Sequence, residues 1–149
     1  MFKAEFIASG SEISFALDLA CELTAKIYLM EQGYGETYFV DVRCDSLKDA
    51  ESLDELMWKK PKNVFMPHQL IHNGDKLIKI NIGYPGTIFS KEKQKSLINI
   101  SPDLPGNIKD YDYFYQLVIE DNGILRERAA KTWSACKKEG LNPQFKKWQ

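Results

Sequence analysis

Apolar and polar positions along the chain predict strands and helices in turn. Lys3 to Ala8 alternates apolar with polar side chains, which is typical of a strand. From about Glu12 to Gln32 the apolar residues recur instead at helical spacing, which predicts a long helix. They form one stripe: Ala16, Leu19, Ala20, Leu23, Ile27 and Met30. The turn Ser9 to Ser11 can cap this helix, and Gly33 follows its end.

Later segments continue this alternation. Four further runs are predicted to be strands because they are rich in β-branched or aromatic residues: Thr37 to Val42, Leu77 to Ile82, Leu97 to Ile100 and Tyr113 to Glu120. Asn122 and Gly123 lead into a final helix that extends to about Glu139 and is closed by Gly140. Strands alternating with helices predict an α/β fold of three layers, with a mostly parallel sheet and helices on both faces. For 149 residues, 44% of them hydrophobic, we expect one domain, 1–149.

A short helix is predicted where the stretch from Leu53 to Leu70 begins. Three apolar side chains fit one side of it: Leu53, Leu56 and Met57. A Ser52-x-x-Glu55 capping box would open the helix, since the two end groups satisfy each other's backbone amides. Pro61 would end it, because the residue before a proline is pushed out of helical geometry.

The rest of this stretch places large apolar side chains on short elements. Val64 to Met66 is an extended run, stopped by Pro67-His68, that is too short to form a sheet of its own. Trp58 and Phe65 flank the lysines and the proline of the turn. Exposed aromatics in such a setting indicate an anchor for a protein partner. The alternative is that both side chains fill the core.

Basic residues concentrate at the carboxyl end, although the formal net charge is only -1. Residues 124–149 hold seven basic and two acidic residues, whereas residues 1–75 hold seven basic and 13 acidic residues. A basic end on a near-neutral chain points to a local anionic partner. Seven charges are modest for duplex DNA, whose affinity grows with the number of phosphates neutralised. A small acidic peptide would match them.

The glycine pattern argues against a nucleotide cofactor. The first strand-to-helix turn, Ser9 to Glu12, offers one glycine and an acidic residue, whereas a dinucleotide loop needs three spaced glycines. A G-x-x-x-x-G-K-[ST] loop does not occur either. We therefore expect a Rossmann-like topology without a nucleotide site, which leaves only phosphate binding at a helix terminus open.

His68 and His72 have the spacing of a zinc-binding helix. Gln69 stands where a metalloprotease carries its general-base glutamate, and a glutamine cannot take a proton. Pro67 in front also disfavours a helix. We therefore expect no metal, with a structural His68 and a solvated His72.

Other side chains give little support for catalysis. Asp41 and Asp45 lie near the carboxyl end of the second strand, but without a basic or metal-binding partner nearby in sequence a solvated loop is favoured. The three cysteines are far apart, which predicts reduced and mostly buried thiols: Cys21, Cys44 and Cys136. With no apolar run of membrane-spanning length and no signal-peptide layout at the start, we expect a cytoplasmic protein.

The segment LDELMWKKPKNVFMPHQL resembles the chi subunit of bacterial DNA polymerase III, a noncatalytic accessory protein of the clamp-loader assembly. The terminal pattern Asn142-x-x-x-x-x-Trp148 supports this resemblance, which extends more weakly over most of the chain. In that family the matching segment meets the psi subunit. The resemblance therefore implies these psi-binding residues: Trp58, Phe65, Met66, Pro67 and His68.

The resemblance also implies a role for the last helix. Helical spacing predicts that one stripe of it faces the sheet: Leu125, Ala129, Thr132 and Cys136. In the chi family this helix and the preceding strand bind the acidic C-terminal tail of single-stranded DNA-binding protein, which ends in phenylalanine. The implied tail-binding residues are Ile119, Arg126, Arg128, Lys131, Trp133 and Lys137. Ala130 and Ser134 stand where relatives are often basic, so a lysine nearby, Lys131, Lys137 or Lys138, would have to substitute. Without the resemblance, a solvated basic face is the simpler interpretation.

We therefore expect a chi-like adaptor in DNA replication that links psi, and through it the clamp loader, to the tail of single-stranded DNA-binding protein. It would have no catalytic residues and no cofactor, and its direct contact with nucleic acid would be weak or absent. Two rival hypotheses are a small α/β enzyme that uses a metal or a nucleotide, and a protein that binds single-stranded nucleic acid directly. The second would show a steep salt dependence on bare single strands.

Overall fold

The computed structural model describes residues 3–32, 39–71, 78–89 and 95–148, which form one seven-stranded sheet with three α-helices. The strands are β1 (Lys3–Ala8), β2 (Phe39–Arg43), β3 (His68–Leu70), β4 (Ile80–Gly83), β5 (Lys95–Asn99), β6 (Tyr113–Val118) and β7 (Gln144–Lys147). The helices are α1 (Ile13–Gln32), α2 (Leu47–Met57) and α3 (Ile124–Lys138), with a 3₁₀ turn at Ile108–Asp110. The strand order is β3-β4-β2-β5-β6-β1-β7, and all neighbouring strands are parallel. The predicted fold class is confirmed.

The helices are divided between the two faces of the sheet. Ile7 of β1 packs in one core cluster with α1 and α2, whereas Phe6 packs in a second cluster with α3. Neighbouring residues separate in this way because successive side chains of a strand point to opposite faces. The connections through α1 and α2 run along the sheet in one direction and the connection through α3 runs in the other. A constant hand of crossover therefore places α3 on the opposite face.

The two long periodic segments agree with their predictions. Five residues of the α1 stripe are buried: Ala16, Leu19, Ala20, Leu23 and Ile27. In α3, Ala129, Thr132 and Cys136 are buried and Leu125 is half-buried. Gly140 follows α3 with φ +80°, a left-handed conformation that glycine adopts without strain. Several positions lie outside the described residues: the Met30 side chain, Gly33, Thr37, His72 and Leu77.

The start of α2 differs from its prediction. The helix begins at Leu47, capped by Ser46, whose hydroxyl oxygen accepts a hydrogen bond from the Asp49 amide at 3.2 Å. Ser52 and Glu55 therefore lie inside the helix, and the proposed capping box there is wrong. Ser46 supplies the same capping chemistry earlier in the chain than Ser52, which lets Ala50 join the buried stripe.

Two strands, β3 and β7, were not predicted, and they form the two edges of the sheet. β7 is exposed at every position, and β3 has three residues, only the first of them buried. An edge strand pairs on one side only and buries little, so its sequence shows no apolar alternation. The apolar run Val64 to Met66, which drew attention in the sequence, precedes β3 without joining the sheet.

Asp41 and Asp45 do not form a solvated loop, so that expectation is wrong. Asp41 lies buried in β2 and accepts a hydrogen bond from the Tyr111 hydroxyl at 2.7 Å. Burial and the Asp41 carboxylate together raise the pKa of Tyr111 above its ordinary range. Asp45 is half-buried and accepts hydrogen bonds from Ser101 at 3.0 Å and from Arg128 at 3.1 Å. Its partners were missed because they lie more than 50 residues away in sequence.

The prediction of reduced, buried thiols is confirmed, since all three cysteines are free and buried. Burial raises the pKa of the Cys21 thiol to about 12 and that of Cys136 to about 11, and it also raises the pKa of Cys44. These thiols are therefore protonated at neutral pH. In the part of the chain that is described, no helix is long and apolar enough to cross a membrane.

Candidate interaction surfaces

Two large aromatic side chains stand exposed beside the β3 edge of the sheet. Trp58 is 53% exposed and Phe65 is 75% exposed, with their ring centroids 6.2 Å apart. Trp58 is the C-cap residue of α2, and its backbone N–H donates to the carbonyl oxygens of Glu55 and Leu56. The chain then reverses through Asn63, whose φ of +65° is a left-handed turn conformation that asparagine tolerates. Cap and turn thus place the two rings side by side, and we call this pair the Trp58 surface.

The buried His68 ring packs against the Trp58 ring. The two ring centroids are 4.0 Å apart, and the His68 side chain is fully buried. Its Nδ1 lies 2.7 Å from the Met66 carbonyl oxygen and its Nε2 lies 2.9 Å from the Asp54 carbonyl oxygen. Both nitrogens therefore face backbone carbonyl oxygens, and Nε2 also lies 3.5 Å from an Asp54 carboxylate oxygen, so the His68 ring is fixed in place beside Trp58. Within the described ranges, no group of three metal-ligating side chains occurs.

A rim of three lysines lies in the turn between Trp58 and Phe65. Lys60 pairs with Asp18 of α1 at 3.0 Å, and the exposed Lys59 lies 3.9 Å from Glu55. Lys62 is exposed, and none of the described carboxylates pairs with it. Exposed ion pairs of this kind contribute little stability, so these cations remain available to a partner. An apolar centre with a basic rim favours a partner that carries acidic residues beside its apolar anchor.

The second candidate surface is one flank of α3. Trp133 is half-buried and packs edge-on against Phe6 of β1, with ring centroids 4.9 Å apart. The Lys137 ammonium lies 5.6 Å from the centre of the Trp133 ring. Arg126 and Ala130 share this side of the helix because they lie one or two turns before Trp133 or Lys137. We call these four residues the α3 flank.

A shallow depression of about 310 Å³ opens at the start of the α3 flank. It is lined by Asn122, Gly123, Arg126, Glu127 and Ala130. The small side chain of Ala130 leaves this space open. The charged residues at its border are Arg126 and Glu127, and Arg126 is exposed.

Arg128 lies on the opposite side of α3 and is occupied within the protein. Its guanidinium contacts Asp45 at 3.1 Å and Asp103 at 2.7 Å. The hydrogen bonds with Asp103 and Asp45 raise the pKa of Arg128, and the bond from Arg128 holds the pKa of Asp103 below its ordinary value. Lys131, which lies near Asp103 on this side, is exposed. The tail-binding residues implied by the resemblance are thus divided between two sides of the helix.

Residues 1–144 match the family model described as DNA polymerase III chi subunit, HolC. The chain belongs to the DNA polymerase III chi subunit family. It is also similar to DNA polymerase III subunit chi from Haemophilus influenzae, with 24% identity over 126 residues that cover 84% of this chain and 82% of the relative. Members of this family are accessory subunits of the polymerase, so the chain is a DNA replication protein.

Not all residues implied by the chi resemblance lie at a surface. Met66 is 1% exposed and packs in the core with Leu53 and Met57. Met66 therefore lies behind the aromatic side chains in the free protein, and its implied role in psi binding stays a prediction. Side chains alternate along an extended chain, so an outward Phe65 turns its neighbour inward. Pro67 is half-buried between them and β3.

Ile119, which the resemblance implies as a tail-binding residue, is also buried in the free protein. It is 3% exposed and packs in the core cluster that contains α1. Alternation again explains this, because Leu117 and Ile119 point to the α1 face whereas Val118 points to the α3 face.

Two supporting contacts in this chi-family chain were not foreseen. Phe6 of β1 holds the Trp133 ring, and the Asp54 backbone carbonyl holds the His68 ring. Phe6 belongs to β1, a strand that the sequence did predict. The sequence does not show that α3 packs over this strand, because that depends on how β1 pairs with its neighbours. The second is mainly a main-chain contact, which carries no sequence signal, with the Asp54 carboxylate 3.5 Å from the same ring nitrogen.

Proposed function

We propose that this chain is a noncatalytic adaptor of DNA polymerase III that binds the psi subunit through the Trp58 surface. The observation that carries this proposal is the exposure of Trp58 and Phe65 side by side in a member of the chi family. Aromatic side chains in the centre of a patch are the residues that most often dominate interface energy. His68 keeps Trp58 in place before the partner arrives, so little ordering is needed on binding.

We further propose that the α3 flank binds the acidic C-terminal tail of single-stranded DNA-binding protein. The Trp133 ring, fixed by Phe6, offers an apolar face to the terminal phenylalanine of the tail. Arg126 and Lys137 on the same flank supply cations for the carboxylates of the tail. Arg128 contributes less than the sequence implied, because it is already paired with two carboxylates.

Reconstitution of the complex tests both parts. The purified chain is mixed with psi and with intact single-stranded DNA-binding protein, and the mixture is separated by size-exclusion chromatography with light scattering. We expect a stable complex with psi, and a larger complex that also retains the DNA-binding protein. The matched control is DNA-binding protein without its acidic tail, which should elute separately.

The result also distinguishes the rival hypotheses. Separate elution of psi at micromolar concentrations would overturn the psi assignment. Retention of the tail-less DNA-binding protein would overturn the tail assignment. Binding of the chain to bare single-stranded DNA, with a steep dependence on salt, would favour direct nucleic-acid binding instead.

A further inference from the structure

The edge strand β7 divides its side chains between the two faces of the sheet. Lys146 points to the α1 face, where its ammonium lies 2.9 Å from Glu5. Trp148 points to the same face, and its indole N–H donates to Glu22 of α1 at 3.0 Å. By alternation, Phe145 and Lys147 point to the α3 face.

Phe145 lies on the same face of the sheet as the Trp133 ring of the α3 flank. It is 53% exposed and pairs in register with Phe6, the residue that holds Trp133. Paired residues on neighbouring strands point to the same face, about 5 Å apart. The Phe6 and Trp133 rings are 4.9 Å apart, so with the length of the Phe6 side chain included the base of Phe145 lies within roughly 13 Å of the Trp133 ring.

The α3 flank faces toward β7. On its other side, α3 is tied to the β2 and β5 end of the sheet, where Arg128 meets Asp45 and Thr132 donates to the Pro102 carbonyl. Trp133 lies over β1, and β7 is the next strand beyond β1. Phe145 and Lys147 therefore lie beside the α3 flank on the same face of the sheet.

Along the strand direction, Lys147 lies level with the part of the α3 flank near Ala130, which lacks a positive charge. It is two residues past Phe145, about 7 Å nearer the carboxyl edge of the sheet. α3 connects two parallel strands and so runs back along the sheet, which places Ala130 and Arg126 about 4.5 and 10.5 Å from Trp133 toward the same edge. Lys147 thus falls level with the space between these two residues. Lys147 is exposed, and no ion pair to it is found within the described ranges.

We propose that β7 forms the second wall of the acidic-tail site, with Phe145 packing against the terminal phenylalanine of the tail and Lys147 binding a carboxylate. This rests on the proposed binding of that tail to the α3 flank. The occupant follows from the chemistry of this face: two aromatic rings at one level, Trp133 and Phe145, and exposed cations on both α3 and β7, Arg126 and Lys147. Lys147 supplies the charge that Ala130 does not.

A labelled acidic peptide that ends in phenylalanine tests this by fluorescence anisotropy. We expect Phe145→Ala to weaken binding about tenfold, as loss of a ring contact does at an interface. The matched control is Phe15→Ala, because Phe15 is also 53% exposed but lies on α1 across the sheet. Phe15→Ala should leave the affinity unchanged. A peptide without its terminal phenylalanine should bind weakly and should no longer distinguish Phe145→Ala from the unchanged protein.

A charge-reversal variant tests the role of Lys147 separately. Lys147→Glu should weaken binding at 0.15 M salt, where the Debye length is about 8 Å. Lys138→Glu makes the same change of charge on the outer side of α3 and should weaken binding less. All variants are checked for an unchanged affinity for psi, which shows that they are folded.

Trp133→Ala separates the inference from the function on which it rests. If Trp133→Ala abolishes tail binding and Phe145→Ala does not weaken it, β7 is no part of the site and the inference fails alone. If the unchanged protein does not bind the peptide, the tail function fails as well. Self-association of the chain that Phe145→Ala abolishes, measured by sedimentation, would assign β7 to an interface between copies and overturn the inference.

Discussion

Replacing Phe65 by alanine separates binding from folding more cleanly than replacing Trp58 does. Phe65 is 75% exposed, so about a quarter of its surface is buried in the free protein. Full burial of such a side chain contributes about 1.5–3 kcal/mol, so Phe65→Ala should lower the free energy of unfolding by less than about 1 kcal/mol. Trp58→Ala would also remove the tilted ring contact with His68, whose ring centroid lies 4.0 Å away.

The expected loss of psi binding is larger. A phenylalanine side chain offers about 200 Å², of which roughly 150 Å² is exposed here and open to a partner. At about 25 cal/mol per Å² this gives an upper limit of about 4 kcal/mol, from which the cost of ordering the interface is subtracted. We therefore expect Phe65→Ala to weaken psi binding by about 2 kcal/mol, or roughly thirtyfold.

Isothermal titration calorimetry of psi against the chain measures this affinity, and urea denaturation measures the stability. Phe145→Ala is the matched control, since it removes an exposed phenylalanine at the other edge of the sheet. It should keep the psi affinity of the unchanged protein. The reasoning is refuted if folded Phe65→Ala binds psi normally, or if Phe145→Ala weakens psi binding by the same factor.

Three other outcomes are expected. Arg128→Met should lower the free energy of unfolding at neutral pH by about 1 kcal/mol while changing tail affinity little, because Arg128 is paired internally. Arg128 lowers the pKa of Asp103 in the folded state, so the stability from this ion pair is present above the ordinary carboxyl pKa and is lost as pH falls through the folded pKa. Urea denaturation that finds the same difference in unfolding free energy between Arg128→Met and the unchanged protein at pH 3 and pH 7 would contradict this. Arg126→Glu should weaken tail binding mostly at low salt, whereas loss of the terminal phenylalanine should weaken it at all salt concentrations, as an anisotropy titration over salt would show. The buried thiols, with a pKa of about 12 at Cys21, should react slowly with Ellman's reagent at pH 8 and rapidly in urea; fast reaction of the native protein would refute their burial.

The parts of the fold that bury a regular stripe could be predicted from the sequence. β1 and the buried face of α1 followed from period alone, because core burial selects apolar residues at each turn. β7 could not be predicted, because its four exposed residues carry no apolar period and its pairing depends on β1. The cap of α2 was misplaced because Ser52 and Ser46 offer the same side chain, and only the helix geometry decides between them.

The candidate surfaces were predicted less completely, because sequence gives a residue type but not its exposure. Trp58 and Phe65 were chosen correctly as exposed, whereas Met66 belongs to the core. The internal pairing of Arg128 could not be inferred, since Asp45 is 83 residues away in the chain.

If the two proposed partners bind at opposite edges of the sheet, the continuous ladder of parallel strands would hold them apart as a rigid spacer. From β3 to β7 there are six steps between neighbouring strands, which at about 4.8 Å each span about 29 Å. Two ligands fixed at that separation experience each other at millimolar effective concentration, so weak contacts between psi and the DNA-binding protein would become significant only in the ternary complex. Twist of about 20–25° per step adds up to about 120–150°, so the two bound partners would leave the sheet in widely divergent directions.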